Sequence, residues 1–508
     1  MGFPAASTRP TSFDFLLSSS ELTGRDWRTT LVTSFLAAAR TEILRLLTSV
    51  PTDSASFREL EERLHVVVGR CLDLVTAGIV KAAHSDERVL ETVALLMQTE
   101  PHLRLQSSHQ TSTITFLGGS RLQVASPYFL RRPPRGRGRP RGRGKRGKSG
   151  NGLYPVLAIL GIHNRATPAL TSEVALQLSC TTVEQAQAQL RRRGIELNRK
   201  RLTSVVSGLG SRALRFREQV IGEGRASQLG DVTGCRIVIG TDGGRLRTRV
   251  QKKRGRKKPN GRRGFKTAWR EPKVLVVYEI DNDGRRQRKC GFRYYDATLG
   301  DADAAFKLLA GLLRSVRAWR AREWIIVGDG APWIWERVGE LIKAVGYSRE
   351  KVTEVVDLYH ARQRLHAFAD EVKSFSERQK TRWLNKMRGL LDQGRIRDME
   401  TEFSIYFKGC NSKKRRKIAA YFSTHANRMA YARYRRMAIP LGSGAVESCV
   451  RRLVNLRLKG NGIFWTETNA EQVLHLRGQY LAGRWNEFVD RILQPITFWN
   501  QAETSNAL

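Results

Sequence analysis

The sequence predicts a multidomain α+β protein in which a mixed β-sheet core follows a helical N-terminal region. A chain of 508 residues is too long for one hydrophobic core. Its hydrophobic content of 41% is typical of a folded protein and not of a disordered polycation. Helical periodicity dominates the first hundred residues, whereas apolar, strand-like runs alternate with amphipathic helices after Cys235.

Residues 1–130 are predicted to be helical and to end in a β-hairpin. Between about Glu21 and Thr99, apolar residues recur at three- and four-residue steps, as on one face of a helix. The period changes to two between Thr113 and Val124, and Gly118-Gly119 lies between the two alternating runs. Alternating runs on either side of paired glycines indicate a hairpin.

The charge balance points to a polyanionic partner. The chain has 89 Lys and Arg against 47 Asp and Glu, which gives a formal charge of +42. Such an excess causes self-repulsion unless a polyanion neutralises it, so nucleic acid is the natural partner. An anionic membrane surface is the competing interpretation, but no window approaches 18 uncharged apolar residues, so no membrane span is expected.

Residues 131–150 are predicted to be a DNA-binding linker. Ten of the eighteen residues between Arg131 and Lys148 are basic and none is acidic. The run resembles an AT-hook, in which Gly and Pro let the backbone follow a narrow minor groove while arginines enter it. The candidate arginines are Arg137, Arg139 and Arg141. A flexible linker with non-specific phosphate affinity is the alternative.

Residues 151–230 are predicted to contain a helix-turn-helix. The helical segments Val183–Arg193 and Asn198–Leu209 are separated by four residues that begin with Gly194. Thr171 and Thr182 are predicted N-caps. The second segment opens with three basic residues, at the position where a reading helix makes its base contacts. These are Arg199, Lys200 and Arg201. An ordinary helical hairpin is the alternative.

Residues 231–360 are predicted to form the first part of the core. Its five strands are Arg236–Gly240, Lys273–Ile280, Gly291–Ala297, Glu323–Gly328 and Val352–Leu358. The first three strands follow one another as in a meander, and the last two alternate with helices as a parallel sheet requires. A charged helical insertion is predicted at residues 361–439. A C-terminal helical part is predicted at residues 440–508, where Ser443 is expected to cap a helix that extends to Lys459.

Three carboxylates stand at positions suited to metal binding. Asp242 and Asp329 follow the first and fourth strands, and Glu447 lies in the first turn of the helix after Ser443. Each has an ordinary alternative role, because Asp-Gly is a turn signature and an acid near a helix N-terminus complements the dipole. Their joint order in a basic chain favours an RNase H-like core in which they are catalytic. Carboxylates are hard ligands that can hold Mg²⁺ against a phosphodiester.

Several further residues are assigned around this site. Asp357 and His360 are predicted auxiliary residues, with a packed histidine as the alternative for His360, whereas Asp281 and Asp296 are predicted turn residues. The segment from Arg245 to Arg263 has eleven Lys and Arg in nineteen residues and is predicted to clamp substrate phosphates, with a disordered loop as the alternative. The DNA-binding candidates in this region are Arg245, Arg247, Arg249, Arg451 and Lys459.

At these motifs the sequence resembles the DDE transposases of bacterial insertion sequences, most closely the ISKra group. The resemblance spans roughly residues 105–490 and depends on an ordered set of motifs: Asp242–Arg249, Trp269–Lys273, Asp329–Trp335, Asp357–Ala361, Pro440–Ser448, Asn455–Trp465 and Asn469–Arg477. It implies that Asp242, Asp329 and Glu447 are the catalytic triad.

The resemblance implies an activity and its requirements. Two Mg²⁺ or Mn²⁺ ions held by the triad would activate water to cut the transposon end, and would then orient the freed 3′-hydroxyl for attack on target DNA. The implied partners are transposon-end and target DNA and further copies of the chain, as a homodimer or higher oligomer. An RNase H-like nuclease or resolvase without strand transfer, or a DNA-binding regulator with a decayed core, are the alternatives.

The cysteines and the N-terminal sequence indicate the cellular compartment and whether zinc is expected. The six cysteines are Cys71, Cys180, Cys235, Cys290, Cys410 and Cys449, and they form no C-x-x-C pair. This pattern indicates a reducing compartment, and no signal sequence is recognisable. We therefore expect a cytoplasmic, nucleoid-associated bacterial protein. Members of the family commonly have paired cysteines after the hairpin; here Leu130 leads directly into the basic linker, so no zinc is expected.

Overall fold

The computed structural model describes residues 27–47, 50–131, 152–225, 229–252, 254–255, 259, 263–287, 291–407 and 412–500. The predicted AT-hook residues Arg137, Arg139 and Arg141 lie outside these ranges. Within them the chain is a multidomain α+β protein, as predicted. It divides into two compact units, and the second contains the described residues of Ala175–Thr181 and Ser207–Ile492. None of the described helices is long and apolar enough to cross a membrane.

The first unit begins with three helices and a β-hairpin, as the periodicity predicts. The elements are α1 (Trp27–Leu46), α2 (Ser54–Ala82), α3 (Glu87–Gln98), β1 (Leu103–Thr115) and β2 (Arg121–Arg131). The hairpin turn requires glycine, since Gly119 has a φ of 94°. Buried Asp73 of α2 fixes the turn, because its carboxylate accepts the backbone N–H groups of Gly118 at 2.8 Å and Ser120 at 2.9 Å.

The predicted pair of helices around Gly194 is present. A short strand and four helices follow the basic linker: β3 (Gly152–Leu153), α4 (Pro155–Ile159), α5 (Pro168–Cys180), α6 (Val183–Arg192) and α7 (Arg199–Phe216). Thr182 caps α6 as predicted, and its hydroxyl accepts the N–H of Gln185. The prediction for Thr171 was wrong, because this residue lies inside α5 and is buried.

The second unit contains a mixed sheet with the predicted meander and parallel strands. Its strands are β4 (Arg236–Gly243), β5 (Leu246–Gln251), β6 (Phe265–Arg270), β7 (Lys273–Ile280), β8 (Arg293–Thr298), β9 (Glu323–Gly328) and β10 (Val352–Val356). Five of them form one sheet in the order β10-β9-β4-β7-β8. Strands β4, β9 and β10 are mutually parallel, whereas β7 is antiparallel to both β4 and β8.

Strands β5 and β6 form a separate two-stranded hairpin that the sequence interpretation missed. The segment from Arg245 to Arg263 was interpreted as a basic run with a loop as its alternative. Its first residues instead alternate between arginines and smaller residues on β5, and two of the latter, Leu246 and Thr248, are fully buried. The alternating arginines gave the segment a high charge density, so its two-residue strand period was not recognised.

Helices complete the second unit. Those between strands are α8 (Ala302–Ser315) and α9 (Pro332–Val345), followed after β10 by α10 (Leu358–Asp370). The predicted insertion contains α11 (Glu377–Gln393), α12 (Ile396–Ser404), α13 (Ser412–Thr424) and α14 (Tyr431–Arg436). The helix predicted from Ser443 to Lys459 is present as α15 (Gly444–Val450), a π-helical turn (Arg451–Asn455) and α16 (Leu456–Leu458), after which come α17 (Glu467–Leu481) and α18 (Trp485–Leu493).

A buried charge network beneath β8 corrects one sequence prediction. Asp281 is a turn residue as predicted, and its carboxylate accepts the N–H of Arg285 at 2.7 Å. The turn role predicted for Asp296 was wrong, because this residue is fully buried within β8. Its Oδ2 lies 2.9 Å from His475 Nδ1 and accepts the Tyr294 hydroxyl at 3.0 Å. Burial alone would raise the pKa of Asp296, but the neighbouring His475 and Arg217 lower it.

We expect Asp296→Asn to lower the stability of the second unit at pH 7 by about 3–5 kcal/mol, because it removes one partner of a buried charge network. Since the folded-state pKa is lowered, the carboxylate stabilises the fold above its unfolded pKa of 3.8, and this contribution is lost as the pH falls through the folded value. Urea midpoints of variant and wild type should converge at acidic pH. Asp283→Asn, in an exposed turn, is the control; equal effects of both substitutions at pH 7 would contradict the assignment.

Candidate active site

Strand register brings three aspartates to one edge of the sheet. Every paired residue of β9 lies 87 positions after its partner on β4, the interval that separates Asp242 from Asp329. Every paired residue of β10 lies 28 positions after its partner on β9, the interval between Asp329 and Asp357. Neighbours in register on parallel strands point to the same face. The three aspartates therefore occupy equivalent positions at adjacent strand ends.

Helix α15 brings Glu447 to the same edge. The helix packs against β4 and β7, and a Cβ added at Gly240 would overlap the Val446 side chain. Gly240 precedes Asp242 by two residues, and Val446 is adjacent to Glu447. The absence of a side chain at Gly240 thus allows the helix that carries Glu447 to lie directly on the strand that carries Asp242.

Asp357 holds the start of this helix in place. Its Oδ2 accepts hydrogen bonds from the backbone N–H of Ser443 and from the Ser443 hydroxyl at 2.5 Å, and its Oδ1 accepts the N–H of His360 at 2.9 Å. The Ser443 Oγ also lies 3.5 Å from Glu447 Oε1. Ser443 is at the N-cap position of the helix, as predicted, but its side chain makes no cap hydrogen bond and bonds to Asp357 instead.

The protonation of Asp357 and His360 is coupled. Burial opposes a charge on Asp357, but the hydrogen bonds from His360 and Ser443 hold the pKa of its carboxyl well below the ordinary value. The interaction with Asp357, whose Oδ1 lies 3.4 Å from His360 Nδ1, raises the pKa of His360, and the charges of Asp329 and Glu447 raise it further. An imidazolium at this position offsets part of the negative charge of the cluster.

Asp242 and Asp329 are less enclosed by hydrogen-bond donors. Asp242 accepts the N–H of Gly243 at 2.6 Å, and Asp329 accepts the N–H of Ala331 at 2.9 Å. In each case only one carboxylate oxygen accepts a protein hydrogen bond among the described residues. Burial raises the pKa of Asp242, and the nearby carboxylates of Asp329 and Glu447 raise it further. A bound cation would relieve this unfavourable accumulation of charge.

The helical insertion supports the turn that carries Asp329. From α13, the Tyr421 hydroxyl donates to the Asp329 backbone carbonyl at 3.0 Å, and His425 Nε2 lies 3.1 Å from the Gly330 carbonyl. Gly330 has a φ of 89° and packs against the Tyr421 ring. Sequence reasoning missed Tyr421 and His425, since no local pattern connects them to a turn about ninety residues earlier.

The structure thus brings together Asp242, Asp329, Glu447, Asp357 and His360. Among the described residues, Asp357, His360 and Glu447 form a compact group whose ligand atoms lie within 4.8 Å of one another. Asp242 and Asp329 adjoin this group without belonging to it. We assign Asp357 to positioning and not to metal ligation, because three protein hydrogen bonds already occupy its oxygens.

The predicted DNA-binding residues differ in exposure and in the contacts that they make with the rest of the protein. Arg199, Lys200, Arg245, Arg249, Arg451 and Lys459 are exposed. Arg199 pairs with Glu184, whereas half-buried Arg201 donates to the backbone carbonyl of Arg165 at 2.7 Å. Half-buried Arg247 donates to the Gly460 carbonyl. Arg201 and Arg247 therefore have structural contacts of their own, and the exposed residues retain accessible charges.

Comparison of the chain with protein-family models and with curated proteins finds no match.

Opposite changes in stability are expected from two conservative substitutions in this site. Asp242→Asn removes a carboxylate whose pKa is raised by burial and by like charges, so it should raise the melting temperature of the metal-free protein. Asp357→Asn removes the charged acceptor of the Ser443 hydrogen bonds and should cost about 1.5–3 kcal/mol.

Differential scanning fluorimetry in EDTA at pH 7 measures both effects. Stabilisation by Asp242→Asn should shrink as the pH falls through the raised pKa, because the wild-type carboxyl then becomes neutral as well. If both variants lose stability, the carboxylates do not repel one another as described.

Proposed function

We propose that the chain is a DDE transposase, which cleaves DNA at transposon ends and joins the freed strand to target DNA in a metal-dependent reaction. One observation carries this proposal: Asp242 and Asp329 stand in register at the ends of adjacent parallel strands, with Glu447 on a helix packed against the first strand. This arrangement combines two rigid strand-borne carboxylates with a third from a helix, as in the resemblance drawn from the sequence.

The topology of the sheet supports an RNase H-like core. The central strand β4 has the antiparallel meander partners β7 and β8 on one side and the parallel strands β9 and β10 on the other. Functional groups in sheets with parallel strands collect at the carboxyl ends of those strands. Asp242 is the last residue but one of β4, and Asp329 directly follows β9.

The donor set suits Mg²⁺ or Mn²⁺. Asp242 and Asp329 each have an oxygen without a protein donor among the described residues, Glu447 is exposed, and hard divalent cations prefer carboxylate oxygens. Burial is the main cause of the raised pKa of Asp242, and the charges of Asp329 and Glu447, which raise it further, would favour a cation here. Asp242, Asp329 and Glu447 would hold two ions. When bound, such ions supply Lewis-acid activation of water and stabilisation of the leaving oxygen.

The remaining residues of the cluster position this triad. Asp357 and Ser443 fix the start of α15 and with it the backbone of Glu447, while Tyr421 and His425 fix the turn of Asp329. His360 can hold a proton beside the carboxylates, because Asp357 favours its charged form. Arg245, which directly precedes β5, and Arg249 on β5 are exposed. Both would contact phosphates of a DNA strand that approaches the triad.

We expect Asp329→Asn to abolish Mg²⁺-dependent cleavage of transposon-end DNA while leaving DNA affinity within about twofold of wild type. Amide oxygens are weaker ligands for divalent cations than carboxylates, and a lost catalytic metal removes several kcal/mol of transition-state stabilisation. Cleavage is read on labelled end DNA by denaturing gel, and binding is read by fluorescence anisotropy in EDTA.

Asp283→Asn is the matched control, since it neutralises an exposed aspartate in a turn outside the cluster. Cleavage without joining of the 3′-end to target DNA would indicate a nuclease or resolvase. Full DNA affinity with no metal-dependent cleavage by the wild type would indicate a regulator. Undiminished cleavage by Asp329→Asn contradicts the proposal.

The basic linker should contribute affinity through charge. Simultaneous substitution of five arginines by alanine should flatten the dependence of log affinity on log salt by several units, because each neutralised phosphate adds about 0.9 to that slope. The five are Arg135, Arg137, Arg139, Arg141 and Arg143. The measurement is a salt titration by fluorescence anisotropy with the cognate end and with random duplex.

Preference for the cognate end over random duplex should survive these substitutions unless the AT-hook-like sequence reads A·T tracts, in which case the preference falls too. An unchanged slope means that the linker does not contact DNA.

A further inference from the structure

The hairpin of β5 and β6 is a direct extension of the sheet strands beside Asp242. In the β4–β7 pair Gly243 opposes Lys273, and in the β5–β6 pair Leu246 opposes Arg270. Leu246 is three residues after Gly243, and Arg270 is three residues before Lys273. The antiparallel register of β4 and β7 therefore continues into β5 and β6. We call β5 and β6, together with Arg245 directly before β5, the arm. At about 3.3 Å per residue, Arg247 lies roughly 17 Å along the chain from Asp242.

One face of the arm combines arginines with aromatic rings. Arg247 is directly opposite Trp269, and Gln251 is directly opposite Phe265. Because directly opposed residues share a face and alternate residues of a strand do too, Arg245, Arg247, Arg249, Phe265 and Trp269 belong to one face. The Arg245 guanidinium lies 4.7 Å from the Trp269 ring centroid.

A third ring extends this face and anchors it. Phe464 lies 5.2 Å from Phe265 between ring centroids, and the Arg247 guanidinium lies 4.9 Å from the Phe464 ring. Backbone hydrogen bonds join β5 to the same segment, from Arg249 N to the Trp465 carbonyl at 2.7 Å and from Trp465 N to the Arg247 carbonyl at 3.1 Å. Strand β5 is therefore hydrogen-bonded along both of its edges, to β6 on one and to Trp465 on the other.

The aromatic rings of this face are accessible. Trp269 is 50% exposed and Phe265 is 43% exposed, while Arg245 and Arg249 are exposed beside them. Accessible rings that share one face with arginines differ from apolar side chains scattered singly over a surface, which are common and need no ligand. Basic side chains interleaved with accessible rings are the arrangement by which proteins bind single-stranded nucleic acid, with rings stacked on bases and cations on phosphates.

We propose that this face of the arm binds an unpaired DNA strand, whose bases stack on Trp269 and Phe265 while Arg245 and Arg249 contact its phosphates. This proposal rests on the proposed function for the identity of the strand, which is the one processed at the adjoining carboxylates. We expect weaker binding of a duplex to this face, because the bases of a duplex are stacked on one another and present only their edges.

The test compares the affinity of the full chain for oligothymidylate and for a duplex of equal length, by fluorescence anisotropy in EDTA. Trp269→Ala should weaken single-strand binding by roughly 5- to 150-fold, the effect of one lost stacking contact, and leave duplex binding within about twofold. Its salt dependence should be unchanged, because no charge is removed. Arg245→Gln should instead lower the single-strand salt slope by about 0.7.

Trp319→Ala is the matched control, because Trp319 is 42% exposed and lies outside the arm. Trp269→Phe should retain most of the single-strand affinity, which separates stacking from damage to the hairpin. Equal losses for single strand and duplex, or no loss, overturn the proposal. The assay needs neither metal nor cleavage, so Asp329→Asn should bind oligothymidylate like the wild type whether or not the proposed catalysis is correct.

Discussion

The crowding of four carboxylates at one edge of the sheet is the constraint on which the candidate site depends. Parallel register sets Asp242, Asp329 and Asp357 side by side, and α15 adds Glu447. Burial and two of these neighbours raise the pKa of Asp242, so this arrangement is unfavourable without compensation. Compensation comes from backbone N–H donors at each aspartate and from the Ser443 hydroxyl. Asp357 also raises the pKa of His360, which favours the charged form of this imidazole beside the carboxylates.

The two kinds of carboxylate at this edge have different functions in the fold. Asp357 is 1% exposed and its oxygens accept hydrogen bonds from protein donors. It therefore connects the end of β10 to the segment that precedes α15. Asp242 and Asp329 retain an oxygen each for another ligand among the described contacts. The helical insertion, although distant in sequence, stabilises the Asp329 turn, because Tyr421 and His425 contact the backbone of that turn.

Local sequence patterns predicted the strands and helices better than the contacts between them. Apolar runs that end in aspartate located β4 and β9, but periodicity does not give the register that aligns Asp242 with Asp329 and Asp357. Asp296 was misassigned because its partner His475 lies 179 residues away. The arm was missed because its strand residues alternate with arginines, and a high charge density resembles a solvated loop. Distant partners and charged strands are the features that single-sequence patterns do not resolve.

The position of Glu447 in the chain has a consequence for biosynthesis. In the order of synthesis Glu447 is the last carboxylate of the cluster to be added, and α15 must then emerge from the ribosome to pack on β4. The basic linker and the helices α6 and α7 are complete long before that point. On the proposed function, a product that terminates early would retain the means to occupy DNA without the means to cut it. Premature termination or proteolysis within the insertion would therefore generate a competitor of the intact enzyme from the same gene.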